Sequence, residues 1–191
     1  GWKGPVVRNN STTHMLDKLA ASFGEKCYEV PVGFKHISRK IEETDAVLGG
    51  ESSGGLTVRG HIRGKDSVYA AALLVEALCA LDKSPSDILE ELYRKLGRHF
   101  TAEDNMLLSE NEKAVLQKDL TGGSLPAFSR PVRRVSSQDG CKVYFADDSF
   151  VICRLSGTEP LLRFCAEAPE QAQAEAYIRQ FKAHIETQLK K

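Results

Sequence analysis

The strongest chemical signal in the sequence is a polar run near its carboxyl end, Arg-Leu-Ser-Gly-Thr-Glu-Pro-Leu-Leu-Arg, which begins at Arg154. The planar guanidinium of Arg154 can contact two phosphate oxygens, and Arg163 adds a second positive charge. Between them, Ser156 and Thr158 can donate hydroxyl hydrogens, and Gly157 leaves room for backbone N–H groups to approach an anion. The pattern predicts a phosphate-binding loop. An ordinary Ser-Gly-Thr turn flanked by two solvent-facing arginines is the alternative interpretation.

A second polar loop lies in the first half of the chain. Residues 49–55 read Gly-Gly-Glu-Ser-Ser-Gly-Gly and separate two strand-like apolar runs. The carboxylate of Glu51 can accept hydrogen bonds from two neighbouring sugar hydroxyls, while a serine such as Ser53 can donate or accept. The loop therefore predicts carbohydrate recognition, and a surface turn without a ligand is the alternative.

The same loop also fits the G-x-S-x-G pattern of serine hydrolases, with Ser52 as the nucleophile. That motif requires a helix to begin directly after the serine. Here residues 56–58, Leu-Thr-Val, favour a strand instead. Two of the glycines have the spacing of a Walker phosphate-binding loop, but the Lys and the Ser or Thr that must follow are absent. A serine hydrolase that uses Ser52 is kept as an alternative function.

The pattern of apolar residues predicts two domains. Residues 1–118 alternate short apolar runs with helical patterns, which is typical of an α/β domain with a mixed sheet flanked by helices. Residues 119–130 include Thr-Gly-Gly-Ser-Leu-Pro and predict a linker. Residues 131–191 contain four strand-like runs followed by one long helix, which predicts a small α+β domain with an antiparallel sheet and helices.

Local signals predict several helix boundaries. Ser11 or Thr12 can cap a helix over residues 11–23, and Gly24 can end it. Residues 67–81 are apolar nearly all round, which predicts a helix buried against a sheet. Two further helices begin with recognisable caps, at Ser84 and Ser109.

Composition and charge exclude several classes of function. Lys plus Arg and Asp plus Glu are equal at 26 each, so no overall positive field attracts nucleic acid or an anionic membrane. No apolar run reaches the roughly 18–20 residues that span a bilayer. The five cysteines are an odd number without a Cys-x-x-Cys pair. This pattern predicts reduced thiols in a cytoplasmic protein rather than disulfides or a zinc site.

The two loops, together with the Val-Gly-Phe-Lys segment over residues 32–35, resemble the α-D-phosphohexomutases, the phosphoglucomutase and phosphomannomutase group. The order and approximate spacing of these motifs agree with that family. The resemblance covers nearly the whole chain and corresponds to the third and fourth domains of the family. It implies a fourth domain with a small antiparallel sheet and helices.

The resemblance implies a role for each matching residue. Glu51 and Ser53 are expected to hold the O3 and O4 hydroxyls of a sugar, and Lys35 to contact the substrate. Arg8 and Arg163 are further candidates, although both could be solvated charges at strand ends. The phosphate remote from the reaction is expected to bind Arg154, Ser156, Gly157 and Thr158.

The resemblance also implies a reaction. Family members transfer a phosphoryl group between a phosphoserine and a hexose phosphate, which interconverts the 1-phosphate and 6-phosphate forms. The phosphoserine and the Asp-x-Asp-x-Asp metal loop of the first two family domains have no counterpart in this sequence. The chain is therefore expected to be an inactive fragment without a metal or cofactor of its own, with Mg²⁺ in the missing N-terminal half.

The expected partners are hexose phosphates and that missing half. The two loops are expected to face a shared cavity, so that one holds a sugar ring while the other holds its phosphate. A non-catalytic module that binds phosphate without reading the sugar is a further alternative.

Overall fold

The computed structural model describes residues 1–120 and 125–190 of the 191-residue chain. It contains two compact units, Gly1–Arg98 and His99–Lys191. Within the described ranges, none of the helices combines the length and the apolar character needed to cross a membrane.

The first unit is built on a mixed sheet of four short strands. These are β1 (Val6–Asn9), β2 (Cys27–Val30), β3 (Leu48–Gly50) and β4 (Leu56–Val58). The spatial order is β2-β1-β3-β4. Strand β1 is parallel to both β2 and β3, whereas β4 is antiparallel to β3. The α/β architecture with a mixed sheet that the sequence predicts is confirmed.

Four helices complete the first unit: α1 (Met15–Ser22), α2 (Phe34–Thr44), α3 (Ser67–Leu81) and α4 (Pro85–Leu96). Helix α2 buries Ile37 and Ile41, which lie one turn apart on the same side. A Cβ at Gly49 would lie 2.5 Å from the Cγ2 atom of Ile37, so glycine is what lets α2 pack directly on β3. The core around these isoleucines also contains Val7, Val30 and Ala46.

Helix α1 begins later than the sequence predicts. The proposed caps are used elsewhere, because Thr12 donates its hydroxyl to Asn9 Oδ1 at 2.8 Å and the N–H of Ser11 donates to the same oxygen at 3.0 Å. This local side-chain turn competes with helix formation, so the helix starts at Met15. The predicted end is confirmed, since Gly24 follows the helix with a φ of 74°.

Helix α3 is largely exposed, and the prediction that it is buried was wrong. It has no buried residue, and Val68, Leu74 and Val75 are 82%, 55% and 59% exposed. In the first unit it packs against β4, an edge strand of three residues that is too short to cover a helix of fifteen. Helical periodicity alone could not indicate this, because an apolar pattern does not specify which surface covers it.

The two helix caps predicted at Ser84 and Ser109 are confirmed. Ser84 accepts a hydrogen bond from the N–H of Asp87 at 3.2 Å and is followed by a proline at the first helical position. Ser109 precedes helix α5 (Glu110–Asp119) and accepts from the N–H of Glu112 at 3.3 Å. The Glu112 carboxylate accepts in return from the N–H of Ser109 at 2.7 Å, which completes the capping box.

The second unit is an antiparallel sheet of five strands with helices. The strands are β5 (Phe100–Leu107), β6 (Val132–Ser136), β7 (Cys141–Phe145), β8 (Phe150–Leu155) and β9 (Leu161–Ala168), in the order β5-β9-β8-β7-β6. Helix α6 (Gln171–Leu189) packs on one face. The predicted antiparallel α+β domain is confirmed in its architecture.

The division between the units lies earlier than the sequence predicts. Strand β5 pairs with β9 along its whole length, from Phe100 opposite Ala168 to Leu107 opposite Leu161. The second unit therefore begins at His99 and includes α5, whereas the sequence pattern assigned residues up to 118 to the first domain and 119–130 to a linker. Residues 121–124 of that linker lie outside the described residues. The central Glu-Asp-Asn of β5 is unfavourable for strands, which is why propensity did not indicate one.

The core of the second unit lies between the sheet and α6. The rings of Phe145 and Tyr177 stack with centroids 4.2 Å apart, and Phe128 meets both edge-on. Phe164 and Phe181 also meet edge-on, with centroids 6.2 Å apart. Alternate residues on the strands point to this core, so their neighbours in sequence lie on the opposite face of the sheet.

All five cysteines are free thiols, as the sequence predicts. Burial raises the pKa of Cys141 to about 11 and is the main cause that raises the pKa of Cys165 to about 12. Both therefore remain protonated at neutral pH, and a protonated thiol is a poor nucleophile.

Candidate functional site

The loop between β3 and β4 is a compact hairpin closed by its own backbone. The N–H of Glu51 donates to the carbonyl of Gly55 at 2.9 Å, and the N–H of Gly54 donates to the carbonyl of Glu51 at 3.0 Å. Gly54 has a φ of 84°, a conformation that glycine adopts without strain. The loop thus has a defined conformation that holds the Glu51 backbone.

The carboxylate of Glu51 turns into the unit rather than into solvent. Its side chain is 7% exposed. One oxygen, Oε1, accepts hydrogen bonds from Asn9 Nδ2 at 3.3 Å and from the N–H of Gly33 at 3.2 Å. The other oxygen, Oε2, lies 3.7 Å from Lys65 Nζ. Glu51 therefore joins the hairpin to the end of β1 and to the start of α2.

Two buried polar side chains at the end of β1 anchor this loop. Asn9 is 3% exposed and Thr12 is 7% exposed. The hydroxyl oxygen of Thr12 accepts from the N–H of Ser52 at 3.1 Å while its hydrogen is donated to Asn9. Sequence analysis missed both residues. A usable signal was their position at and just beyond the carboxyl end of a parallel strand, because ligand sites in such sheets form at the carboxyl ends of strands.

Lys65 is a third residue that the sequence did not indicate. A Cβ at Gly55 would lie 2.6 Å from Lys65 Cδ and 3.1 Å from Lys65 Cβ, so the glycine provides the space in which the lysine stem lies. The ammonium group is thereby brought next to Glu51, and the side chain remains 54% exposed. A cation beside the carboxylate adds a hydrogen-bond donor to the loop.

The other two residues predicted to contact a sugar, Ser53 and Lys35, lie on the two segments that Glu51 joins. Ser53 is exposed in the hairpin, and Lys35 is exposed in the first turn of α2, two residues after Gly33, which donates to Glu51. Ser52 is also exposed, and the sequence after it enters β4 rather than a helix. The strand-to-helix geometry of a hydrolase nucleophile elbow does not surround Ser52.

Arg8 fits neither interpretation drawn from the sequence, because it is neither a solvated charge nor exposed to a substrate. It is 2% exposed, and its Nε lies 2.6 Å from Asp17 Oδ2 while its Nη1 lies 2.7 Å from Glu29 Oε2. Burial opposes the charged form, but the hydrogen bonds and charges of Asp17 and Glu29 outweigh it and raise the pKa of Arg8 above its ordinary value. Arg8 therefore neutralises two carboxylates within the first unit.

The second candidate loop joins β8 to β9. The N–H of Ser156 donates to the carbonyl of Leu161 at 2.8 Å, which closes the loop at its base. Ser156 is 4% exposed, whereas Gly157 and Thr158 are exposed at the tip. Nothing lies within 4 Å of a Cβ built on Gly157, so the backbone there is open to an approaching ligand.

The two arginines of this loop lie directly opposite each other. Arg154 on β8 pairs in register with Arg163 on β9. Directly opposed residues share a face of the sheet, and this face is the one away from α6, because Leu162 and Phe164 point into the α6 core. Like charges in this arrangement repel each other and attract an anion.

The two guanidinium groups differ in their partners. Arg163 Nη2 forms an ion pair with Glu159 Oε2 across the loop. Within the described ranges, no carboxylate or hydrogen-bond acceptor engages Arg154. Arg154 is therefore the cation that is available to an incoming anion.

Gly140 lies beside Arg154 and is required there. It has a φ of 77°, and a Cβ on it would lie 2.3 Å from the carbonyl oxygen of Cys153 and 2.7 Å from Arg154 Cβ. Any other residue would therefore disturb the strand that carries Arg154. Among the described residues, no cluster of three or more His, Cys, Asp or Glu side chains could hold a metal ion.

Two protein-family models match the chain. Residues 1–96 match the model described as "Phosphoglucomutase/phosphomannomutase, alpha/beta/alpha domain III", and residues 103–184 match the model of the C-terminal domain. The chain belongs to the phosphoglucomutase/phosphomannomutase family. Both loops fall inside the matched ranges, the sugar-loop candidate in domain III and the phosphate-loop candidate in the C-terminal domain.

Individual relatives agree with this assignment. A phosphoglucomutase/phosphomannomutase of Thermococcus kodakarensis is 27% identical over 92% of this chain and 36% of that protein, and phosphoglucomutase-1 of Bos taurus is 30% identical over 80% and 31%. The crystal structure of a putative phosphomannomutase from Thermus thermophilus has a TM-score of 0.73 and 26% identity, covering 96% of this chain and 37% of that one. The chain spans about a third of the length of the curated relatives it matches.

Proposed function

We propose that this chain supplies the C-terminal, sugar- and phosphate-binding part of a phosphohexomutase that interconverts hexose 1-phosphates and hexose 6-phosphates. The observation that carries the proposal is the pair of opposed arginines, Arg154 and Arg163, at the base of a Ser-Gly-Thr loop. Two like charges on one face of a sheet raise the free energy of the empty protein, and a phosphate bound between them removes that repulsion.

The phosphate loop is proposed to bind the phosphate that does not react. Arg154 donates two hydrogen bonds to phosphate oxygens, and Arg163 supplies a second charge. Ser156 and Thr158 donate hydroxyl hydrogens, and the open backbone at Gly157 lets N–H groups approach.

The sugar loop is proposed to bind two neighbouring hydroxyls of the hexose. Glu51 accepts hydrogen bonds from them, and Ser53 and Lys35 contribute further polar contacts. The network from Asn9 and Gly33 supports this role, since a carboxylate held in one position binds hydroxyls without first losing conformational freedom. Lys65 adds a donor beside Glu51.

The proposed reaction is an intramolecular phosphoryl transfer completed by polypeptide that matches the first two family domains. That part is proposed to carry the phosphoserine and the Mg²⁺-binding loop, and this chain contributes no cofactor site of its own. The chain by itself is expected to be inactive, and a cytoplasmic location is proposed from its reduced thiols. Conversion of glucose 1-phosphate to glucose 6-phosphate by the chain alone would contradict the proposal that the isolated chain is inactive.

Binding experiments on the 191-residue chain can separate the two loops. Arg154→Gln is expected to weaken binding of both glucose 6-phosphate and inorganic phosphate by about 10- to 100-fold, because hydrogen bonds to charged groups contribute about 1.5–3 kcal/mol. Glu51→Gln is expected to weaken binding of glucose 6-phosphate alone, since inorganic phosphate has no ring hydroxyls. NMR titration of backbone amides measures both affinities.

A matched arginine controls for loss of charge. Arg133 lies on β6 and pairs with Asp148 at 3.1 Å, so Arg133→Gln removes one exposed positive charge from the same unit. This variant is expected to bind both ligands within about twofold of the unaltered chain, because screening weakens distant exposed charges. Equal effects of Arg133→Gln and Arg154→Gln would contradict the assignment of the phosphate loop, and an unchanged glucose 6-phosphate affinity in Glu51→Gln would contradict the sugar loop.

A further inference from the structure

The ion pair between Glu159 and Arg163 has no role in the function proposed above. Glu159 lies in the same loop as the phosphate-binding candidates, and its carboxylate engages the Nη2 atom of Arg163. A carboxylate in contact with a phosphate-binding arginine occupies the position that a phosphate oxygen would take. We propose that Glu159 is a gating residue that holds Arg163 while the loop is empty and releases it to an incoming phosphate.

Charge repulsion explains why the empty loop needs such a carboxylate. Arg154 and Arg163 are directly opposed on β8 and β9, and like charges at opposed positions destabilise a sheet. Glu159 neutralises one of the two charges, which lowers this repulsion without a ligand. Arg154 stays available, because Glu159 is paired with Arg163.

The exchange of Glu159 for phosphate costs little. The side chains of Arg163 and Glu159 are 37% and 50% exposed, so water solvates both groups when the pair opens. An exposed ion pair of this kind shifts an equilibrium by no more than about fivefold. A phosphate dianion held by two arginines outweighs a single carboxylate, so the phosphate displaces Glu159.

Backbone hydrogen bonds hold the loop beside Glu159, whose carboxylate pairs with Arg163. The N–H of Leu161 donates to the carbonyl of Glu159 at 2.8 Å, and the carbonyl of Pro160 accepts from the N–H of Leu108 at 2.9 Å. These bonds fix the backbone on the carboxyl side of Glu159. The carboxylate can therefore leave Arg163 by rotating its side chain, without a rearrangement of the loop.

The gating role rests on the proposed phosphate site and predicts a gain of affinity when the carboxylate is removed. Glu159→Gln keeps the size of the side chain but removes its charge, so Arg163 is free in the empty protein. The affinity for inorganic phosphate is expected to rise by about two- to fivefold, which is the range that an exposed ion pair can account for. Glu159→Asp, with a shorter side chain, is expected to give an intermediate value.

A double-mutant cycle tests whether Glu159 acts through Arg163. NMR titration with inorganic phosphate at constant ionic strength is performed on the 191-residue chain, on Glu159→Gln, on Arg163→Gln and on the double variant. In the Arg163→Gln background, Glu159→Gln is expected to change the affinity by less than about 1.5-fold, since no ion pair remains to be broken. Glu175→Gln is the matched control, because it breaks the 3.5 Å pair with Arg179 on α6, on the other side of the sheet.

The possible results of this cycle distinguish the gating role of Glu159 from the phosphate site itself. An equal gain of affinity in both backgrounds would show simple repulsion between Glu159 and phosphate and would overturn the gating role. A loss of affinity in Glu159→Gln would overturn it too, because Glu159 would then orient Arg163 for binding. Phosphate binding that is unaffected by Glu159→Gln overturns the gating role but leaves the phosphate site intact, whereas absence of phosphate binding by the unaltered chain overturns both. Thermal unfolding of each variant confirms that the loop change has not unfolded the unit.

Discussion

The sugar loop and the phosphate loop hold their charged residues in opposite ways. Glu51 is nearly buried, and hydrogen bonds from Asn9 and Gly33 fix its carboxylate. Arg154 stands on a strand, and no acceptor in the described ranges engages its guanidinium. Side-chain hydrogen bonds therefore position the first residue, and strand register positions the second. The first arrangement favours a fixed geometry for neutral hydroxyls, and the second keeps a full charge available for an anion.

The hydrophobic cores of the units that carry the two loops differ as well. Among the described residues, the main core of the second unit contains seventeen buried side chains, whereas that of the first unit contains five. Helices α3 and α4 of the first unit have no buried residue. The strands that carry Arg154 and Arg163 thus belong to a densely packed sheet, while the sugar loop depends on a small core and on its own polar network.

The largest expected effect comes from testing these two cores. Phe145→Ala removes a fully buried ring that stacks on Tyr177, and it is expected to lower the free energy of unfolding of the second unit by about 3–5 kcal/mol. Leu74→Ala on the exposed helix α3 is expected to change that of the first unit by no more than about 0.5 kcal/mol. Chemical denaturation followed by circular dichroism measures both. Equal losses in the two variants would contradict the difference in packing.

Much of the second unit could be predicted from sequence because its strands are short, mainly apolar runs that lie between turn residues. This holds for β7, β8 and β9 and for the loop that starts after Leu155. Strand β5 was missed because its acidic and amide residues disfavour a strand, and only pairing with β9 stabilises it. Its omission also displaced the predicted domain boundary from Arg98 to residues 119–130.

The sugar loop was less predictable than its motif suggests. The glycines around Glu51 indicated a polar hairpin, but the residues that hold it are distant in sequence: Asn9 lies 42 residues before Glu51. Thr12 was interpreted as a helix cap because a threonine before an apolar run has that signature, and in the structure it binds Ser52 instead. Contacts of this kind depend on the arrangement of β1 beside β3, which local patterns do not contain.

Two glycines test how the phosphate loop is supported, Gly140 beside the strand that carries Arg154 and Gly157 at the tip of the loop. Gly140→Ala forces a left-handed backbone on alanine and brings its Cβ within 2.3 Å of the Cys153 carbonyl oxygen. The free energy of unfolding is expected to fall by about 2 kcal/mol or more, and phosphate affinity is expected to fall with it because the strand that carries Arg154 shifts. Thermal unfolding and NMR titration with inorganic phosphate measure the two effects.

Gly157→Ala is the matched control for Gly140→Ala. Gly157 has open space around its Cβ position, so its substitution is expected to change stability by no more than about 0.5 kcal/mol. Phosphate affinity is still expected to fall, because the methyl group obstructs the approach of the anion to the backbone. If Gly157→Ala binds phosphate as the unaltered chain does, the backbone of this loop does not contact the anion.

The smallest expected effect tests whether the polar network positions Glu51. Thr12→Val keeps the shape of the side chain but removes the hydroxyl that binds Asn9 and Ser52, and it is expected to lower the free energy of unfolding by about 1 kcal/mol. The affinity for glucose 6-phosphate is expected to fall by about threefold. Without the hydrogen bond to Ser52 the hairpin is held less firmly, so part of the lost stability appears as weaker sugar binding. The affinity for inorganic phosphate is expected to stay unchanged, since strand register rather than this network positions Arg154. Thr12→Ser retains the hydroxyl and is expected to restore sugar binding. A loss of inorganic phosphate binding in Thr12→Val would show that the two loops do not hold their residues independently.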